Sequence, residues 1–119
     1  QISREIAYMF EYYKMLAPAV HLSYKREAFY GKEDKNLRIT FDSEILYRTY
    51  DLSLQKGIYG SPILSDGTYL MEIKTATAIP LWLTAFLSRE KIMKTSFSKY
   101  GKAYISIYHK LKKGEQLYA

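Results

Sequence analysis

The segment from Leu37 to Asp42 limits the fold of this chain more than any other. Apolar and polar side chains alternate in it, with Leu37, Ile39 and Phe41 in one set and Arg38, Thr40 and Asp42 in the other. A period of two places the sets on opposite faces of a β-strand. The same period in Tyr69–Thr75 puts Glu72 and Lys74 on a single face. The chain therefore requires an antiparallel sheet with one apolar face and one charged face.

The remaining patterns predict further strands and three helices. A strand over Val20–Tyr30 is followed by a polar turn at Gly31, Asp34 and Asn36, which predicts a hairpin with the Leu37 strand. Ile45–Leu54 is compatible with a continuation of the sheet, and the glycine-rich segment Lys56–Thr68 predicts a loop. Helices are predicted over Ile2–Leu16 (ended by Pro18), Ala78–Glu90 and Ser98–Lys112. We expect the first helix to pack, and the second to pack through Leu81, Trp82, Ala85 and Phe86.

Composition restricts the classes of protein to which the chain could belong. The 119 residues, 48% of them hydrophobic and 25% charged, suit one domain or part of one. The absence of cysteine excludes disulfides, thiolate zinc sites and cysteine nucleophiles, and it favours a cytoplasmic location. No apolar run is long enough to predict a membrane segment. Because the chain begins at Gln1, we expect a piece of a longer protein, and its formal charge of +6 favours anionic partners.

The charged strand positions suggest two alternative surfaces. Arg26, Arg38, Glu72 and Lys74 fall on three predicted strands. In a curled sheet they would converge on an interior that binds an extended polyanion, whereas in a flat sheet they would form a solvated face. Two histidines are too few for a histidine-rich metal site, and no glycine-rich phosphate loop occurs. If phosphate is bound, side chains must bind it.

Four short motifs in one order resemble the VTC domain family of polyphosphate polymerases. They are Ser23–Phe29 (Ser-Tyr-Lys-Arg-Glu-Ala-Phe), Leu37–Asp42, Leu70–Lys74 (Leu-Met-Glu-Ile-Lys) and Ser96–Tyr100 (Ser-Phe-Ser-Lys-Tyr). The segment Ile79–Leu83 after the third motif also matches. The resemblance extends over residues 18–104 and follows the C-terminal half of the family's domain, so residues 1–119 are expected to be a single domain fragment.

The resemblance implies an α+β fold in which an antiparallel sheet forms part of a tunnel or barrel with packing helices. It implies that Arg26, Arg38, Lys74 and Lys99 bind phosphate and that Glu72 binds Mg²⁺ or Mn²⁺. It implies metal-dependent phosphoryl transfer from ATP to polyphosphate by the full-length protein, with this fragment inactive by itself. Asp42 has two interpretations, since its face suits a tunnel and an aspartate before a turn also suits backbone capping.

Other functions stay open at this stage. A relative of the same fold could hydrolyse triphosphates, or could bind and sense polyphosphate without turnover. Arg26 and Arg38 could instead form surface ion pairs with Glu27 or Asp42. The expected partners are polyphosphate and nucleoside triphosphate, without nucleic acid, since the basic residues alternate with apolar ones instead of forming a basic stripe. An exposed sheet edge makes a homo-oligomer plausible.

Overall fold

A computed structural model describes residues 1–114 of the chain and contains helices and an antiparallel sheet. The helices are α1 (Ile2–Tyr12), α2 (Leu81–Arg89) and α3 (Lys99–Lys112), and the strands are β1 (His21–Tyr30), β2 (Arg38–Arg48), β3 (Ser61–Pro62) and β4 (Leu70–Lys74). A single 3-10 turn occupies Leu54–Lys56. The α+β class predicted from the sequence is therefore confirmed.

Strand β2 lies at the centre of the sheet. It pairs with β1 along one side and with β3 and β4 along the other, always antiparallel. The predicted hairpin is present, and its turn is closed by hydrogen bonds from Leu37 N to Asp34 O (3.1 Å) and from Gly31 N to Leu37 O (2.9 Å). Among residues 1–114 no strand covers the outer edge of β1, and the sheet is open, not closed into a barrel.

A bulge in β2 controls which side chains share a face. The pairing of β1 with β2 shifts between Ser23 and Lys25, so that two β2 residues lie opposite one β1 residue. Glu44 sits in this bulge with a left-handed backbone (φ 49°). Past the bulge the alternation changes parity, which puts Ile45 and Tyr47 on the face that carries Thr40 and Asp42.

The charged face of the sheet is the more deeply buried one. Thr40, Asp42, Ile45 and Tyr47 are buried, whereas the apolar face is only partly covered. Helix α3 lies against the charged face, where Ala103 is fully buried and Lys110 Nζ contacts Ser61 Oγ at 3.4 Å. The sheet therefore buries polar groups that must find partners in the protein.

Two expectations about helix packing were wrong. Helix α1 has no buried residue, so it does not pack on the described part of the chain. In α2 the buried side chain is Leu83, whereas Leu81 is 86% exposed and Trp82 is 62% exposed. The radius of gyration is 18.1 Å, larger than the roughly 13.5 Å expected for a compact domain of this length, in agreement with a helix α1 that buries no residue.

The loop after β2 is organised around one buried arginine. Arg48 donates hydrogen bonds from Nε to Asp51 O and from Nη1 to Gly57 O and Tyr59 O, each at 3.0 Å. Its Cζ lies 4.2 Å from the centroid of the Tyr59 ring, and the Tyr59 hydroxyl donates to Asp51 at 2.8 Å. The predicted loop over Lys56–Thr68 is present, interrupted by the two-residue β3. Among residues 1–114 no helix is both long and apolar enough to span a membrane.

Candidate functional site: a cluster of charges on one sheet face

Strand register brings the charged side chains together. Asp42 is the direct partner of Arg26 across β1 and β2, and Arg38 is the direct partner of Lys74 across β2 and β4. Thr40 lies between them, opposite Glu72. Directly paired residues project to the same face of a sheet. The four strand residues proposed from the sequence therefore share one face with Asp42.

Asp42 is the central anion of this cluster. Its carboxylate has no exposed surface and accepts two parallel bonds from Arg26, Nε to Oδ1 at 2.6 Å and Nη2 to Oδ2 at 2.8 Å. Lys99, at the first turn of α3, reaches the same carboxylate with its Nζ 2.6 Å from Oδ2. The side chain of Asp42 therefore joins β1, β2 and α3, and within residues 1–114 it accepts no backbone capping bond.

Arg26 and Asp42 stabilise each other's ionised forms. The hydrogen bonds from Arg26, and secondly from Lys99, hold the pKa of Asp42 below its usual range, although burial acts in the opposite direction. The bond to Asp42 likewise raises the pKa of Arg26. Asp42 is therefore an ionised carboxylate throughout the physiological pH range.

Tyr24 provides an aromatic surface beside both cations. The Cζ of Arg26 lies 5.1 Å from the ring centroid of Tyr24, and Lys99 Nζ lies 4.7 Å from it. Both distances are within the range of cation–π attraction. The ring thus limits the positions that the two cationic side chains can take.

Glu72 and Lys74 form a second, more exposed pair. Lys74 Nζ lies 3.0 Å from Glu72 Oε1. This bond lowers the pKa of Glu72, and the nearby charges of Lys99 and Arg26 lower it further, although burial acts in the opposite direction. Arg38 differs from the other cations, because no ion pair holds it within residues 1–114.

The structure brings all five predicted site residues together, and it adds two that the sequence reasoning did not assign to the site. The sequence allows two interpretations of Asp42 and assigns no role to Tyr24. The alternative pairing of Arg26 with Asp42 is present, but the carboxylate is fully buried, so the pair is not a surface bridge. The alternation of apolar and polar residues up to Phe41 and Asp42 is the sequence pattern that assigns Asp42 to this face.

The ligands for a divalent metal are few in the described chain. No group of three His, Cys, Asp or Glu side chains converges among residues 1–114. Both Asp42 oxygens are occupied by cations, so Glu72 is the one carboxylate of the cluster with an accessible oxygen. Mg²⁺ commonly combines one or two carboxylates with water and phosphate oxygens, and Glu72 fits that limited role.

Fold and site together define a class of protein: an α+β domain whose antiparallel sheet carries a cation-rich face beside a helix N-terminus. The family model described as VTC domain matches residues 1–108. The chain therefore belongs to the VTC domain family, as its motifs indicated. Searches among curated proteins and among solved structures gave no match.

Proposed function

We propose that the charged face binds polyphosphate or the triphosphate group of a nucleotide, through Arg26, Arg38, Lys74 and Lys99. The observation that carries the proposal is that these four cations, from three strands and one helix, lie on one side of the sheet, where Arg26 and Lys99 both bond the fully buried carboxylate of Asp42. Cations outnumber carboxylates by two in the cluster, so an anion would balance it. Membership of the VTC domain family supports polyphosphate as that anion.

The donors suit an extended chain of phosphates. Arginine offers paired N–H groups to two oxygens at once, while lysine offers a mobile point charge. Arg38 and Lys74 lie at one end of the face and Arg26 and Lys99 at the other, with Thr40 and Glu72 between them. One extended chain would then place different phosphates, several units apart, against the two pairs of cations, and we propose that the intact protein closes this sheet into a tunnel.

The reaction that we propose for the intact protein is phosphoryl transfer from a nucleoside triphosphate to polyphosphate. The basic side chains would hold the triphosphate and offset charge that develops on the transferring group and on the leaving oxygen. A Mg²⁺ or Mn²⁺ ion bound at Glu72 would supply further charge neutralisation when present. The protein residues would contribute positioning, with no covalent step.

Binding is tested by isothermal titration of the intact protein with polyphosphate, comparing Lys74→Gln with Lys25→Gln. Both are exposed strand lysines, but Lys25 pairs with Glu44 away from the cluster. We expect Lys74→Gln to weaken binding about tenfold, as loss of a charged hydrogen bond predicts, and Lys25→Gln to have less than a twofold effect. Equal effects of the two substitutions would refute the proposed site.

Turnover separates a polymerase from a non-catalytic binding module. A binding module is also compatible with the site, because both carboxylates of the cluster are paired with cations. ATP-dependent synthesis of polyphosphate with Mn²⁺, abolished by Glu72→Gln while polyphosphate binding persists, supports the polymerase. Loss of triphosphate without chain growth identifies a hydrolase. Tight binding without turnover in the intact protein identifies a non-catalytic module.

A further inference from the structure

We infer that Asp42 is a positioning residue, which holds Arg26 and Lys99 in the geometry that binds phosphate and does not itself contact the ligand. The inference rests on the proposed function and extends it to a residue with a negative charge. A carboxylate in a polyanion site would ordinarily weaken binding by repulsion, so its presence at the centre of the cluster needs a physical reason.

The contacts of Asp42 use only part of each cation. Arg26 binds it through Nε and Nη2, which leaves Nη1 and the second hydrogen of Nη2 free to donate. Lys99 uses one of its three N–H groups. The Arg26 and Lys99 side chains are 34% and 17% exposed, whereas Asp42 is 0% exposed. A ligand can therefore reach the cations and cannot reach the carboxylate.

Lys99 needs such an anchor because of its place in α3. It begins the helix directly after the N-cap Ser98, whose hydroxyl accepts a hydrogen bond from Gly101 N at 3.0 Å. The N-terminal end of a helix is electrically positive and disfavours a lysine there. Asp42 offsets this repulsion, and it thereby fixes the α3 N-terminus, a second source of positive potential, against β2.

We expect Asp42 to preorganise Arg26 and Lys99 for binding of the ligand. Arginine and lysine side chains lose considerable rotamer freedom when a ligand immobilises them. With Asp42 bonds and the Tyr24 ring already holding Arg26 and Lys99, that loss occurs on folding and not on binding. The opposite role, in which Asp42 merely screens the cations, predicts that removing its charge tightens binding.

The sign of the effect of Asp42→Asn on polyphosphate affinity decides between these roles. Glu44→Gln is the matched control, since it removes one negative charge from the same strand outside the cluster. We expect Asp42→Asn to weaken binding by at least tenfold, although the substitution removes a negative charge and so makes the net charge of the protein more positive. We expect Glu44→Gln to leave the affinity within twofold of that of the unmodified protein. An affinity for Asp42→Asn equal to or above that of Glu44→Gln overturns the inference. Lys74→Gln still weakens binding in that case if the proposed function is correct, whereas an unchanged affinity of Lys74→Gln refutes the proposed function.

A measurement on the unmodified full chain covers the case in which Asp42→Asn does not fold. In ¹⁵N nuclear magnetic resonance, the Arg26 Nε–H signal reports the bond to Asp42, and the Nη signals report the free end. We expect long-chain polyphosphate to shift the Nη signals and to leave Nε–H in place. A comparable shift of Nε–H means that phosphate displaces Asp42, which overturns the inference.

Discussion

Arg38 and Lys74 face each other as direct partners across β2 and β4, two like charges on one sheet face. Like charges in this arrangement repel and destabilise a sheet. Lys74 is partly relieved by Glu72 at 3.0 Å, while Arg38 has no ion pair among residues 1–114. The repulsion is understandable if an anion lies between them when the protein functions.

Substituting Arg38 should therefore separate stability from binding. We expect Arg38→Gln to leave the free energy of unfolding unchanged or to raise it by up to about 1 kcal/mol, because cross-strand repulsion is removed. Polyphosphate affinity should fall at least about tenfold with the lost charged hydrogen bonds. Urea denaturation and isothermal titration measure the two quantities. A fall in both would indicate that Arg38 supports the fold.

The ion pairs of Asp42 predict the stability of the chain in acid. Its pKa is lowered on folding, so the unfolded chain binds the proton at higher pH than the folded chain does. The stabilisation is complete above about pH 4, the range of an unperturbed aspartate, and is lost progressively as the pH falls further.

We expect the free energy of unfolding to decrease below pH 4 by up to about 1.4 kcal/mol per pH unit from this group. Urea denaturation at several pH values measures it. In Asp42→Asn the unfolding free energy should depend less steeply on pH. The pH dependence that remains would come from groups such as Glu72, whose pKa is also lowered. An unchanged slope would show that Asp42 is not the titrating group.

Removal of the Arg48 guanidinium should loosen the loop that follows β2. Arg48→Met keeps the length of the side chain but leaves the carbonyls of Asp51, Gly57 and Tyr59 without this donor. We expect a loss of about 3 kcal/mol in unfolding free energy and faster hydrogen exchange in the loop. The exposed Arg89→Met is the control and should change stability by less than about 0.5 kcal/mol.

Gly60 should not tolerate a side chain. Its φ is 149°, and a Cβ there would lie 2.4 Å from the carbonyl oxygen of Tyr47 in β2. We expect Gly60→Ala to lower the melting temperature and to cost about 2 kcal/mol or more. Gly67 also has a positive φ, but no atom lies within 4 Å of a Cβ added there. We therefore expect Gly67→Ala to lower the unfolding free energy by only about 1 kcal/mol. Equal costs would mean that the Tyr47 contact is unimportant.

Local patterns in the sequence predicted most of the helices and strands and the strand positions of four residues of the charge cluster. The period of two in Leu37–Asp42 and Leu70–Lys74 and the polar turn at Asp34 and Asn36 each encode structure within a few residues. The bounds predicted for β1, β4, α2 and α3 lie within a few residues of those observed, whereas β2 runs beyond the predicted Asp42 as far as Arg48. The patterns also put Arg26, Arg38, Glu72 and Lys74 on strands, where alternation assigns a face.

Only the tertiary structure decided how those faces are used. The left-handed backbone of Glu44 changes the parity of β2, and α3 contacts the charged face, where Lys99 reaches Asp42 from a distant part of the chain. It also showed that α2 buries Leu83 and that α1 buries nothing among residues 1–114. Periodicity is a local property, whereas burial and ion pairing depend on contacts between segments far apart in sequence, which no short pattern specifies.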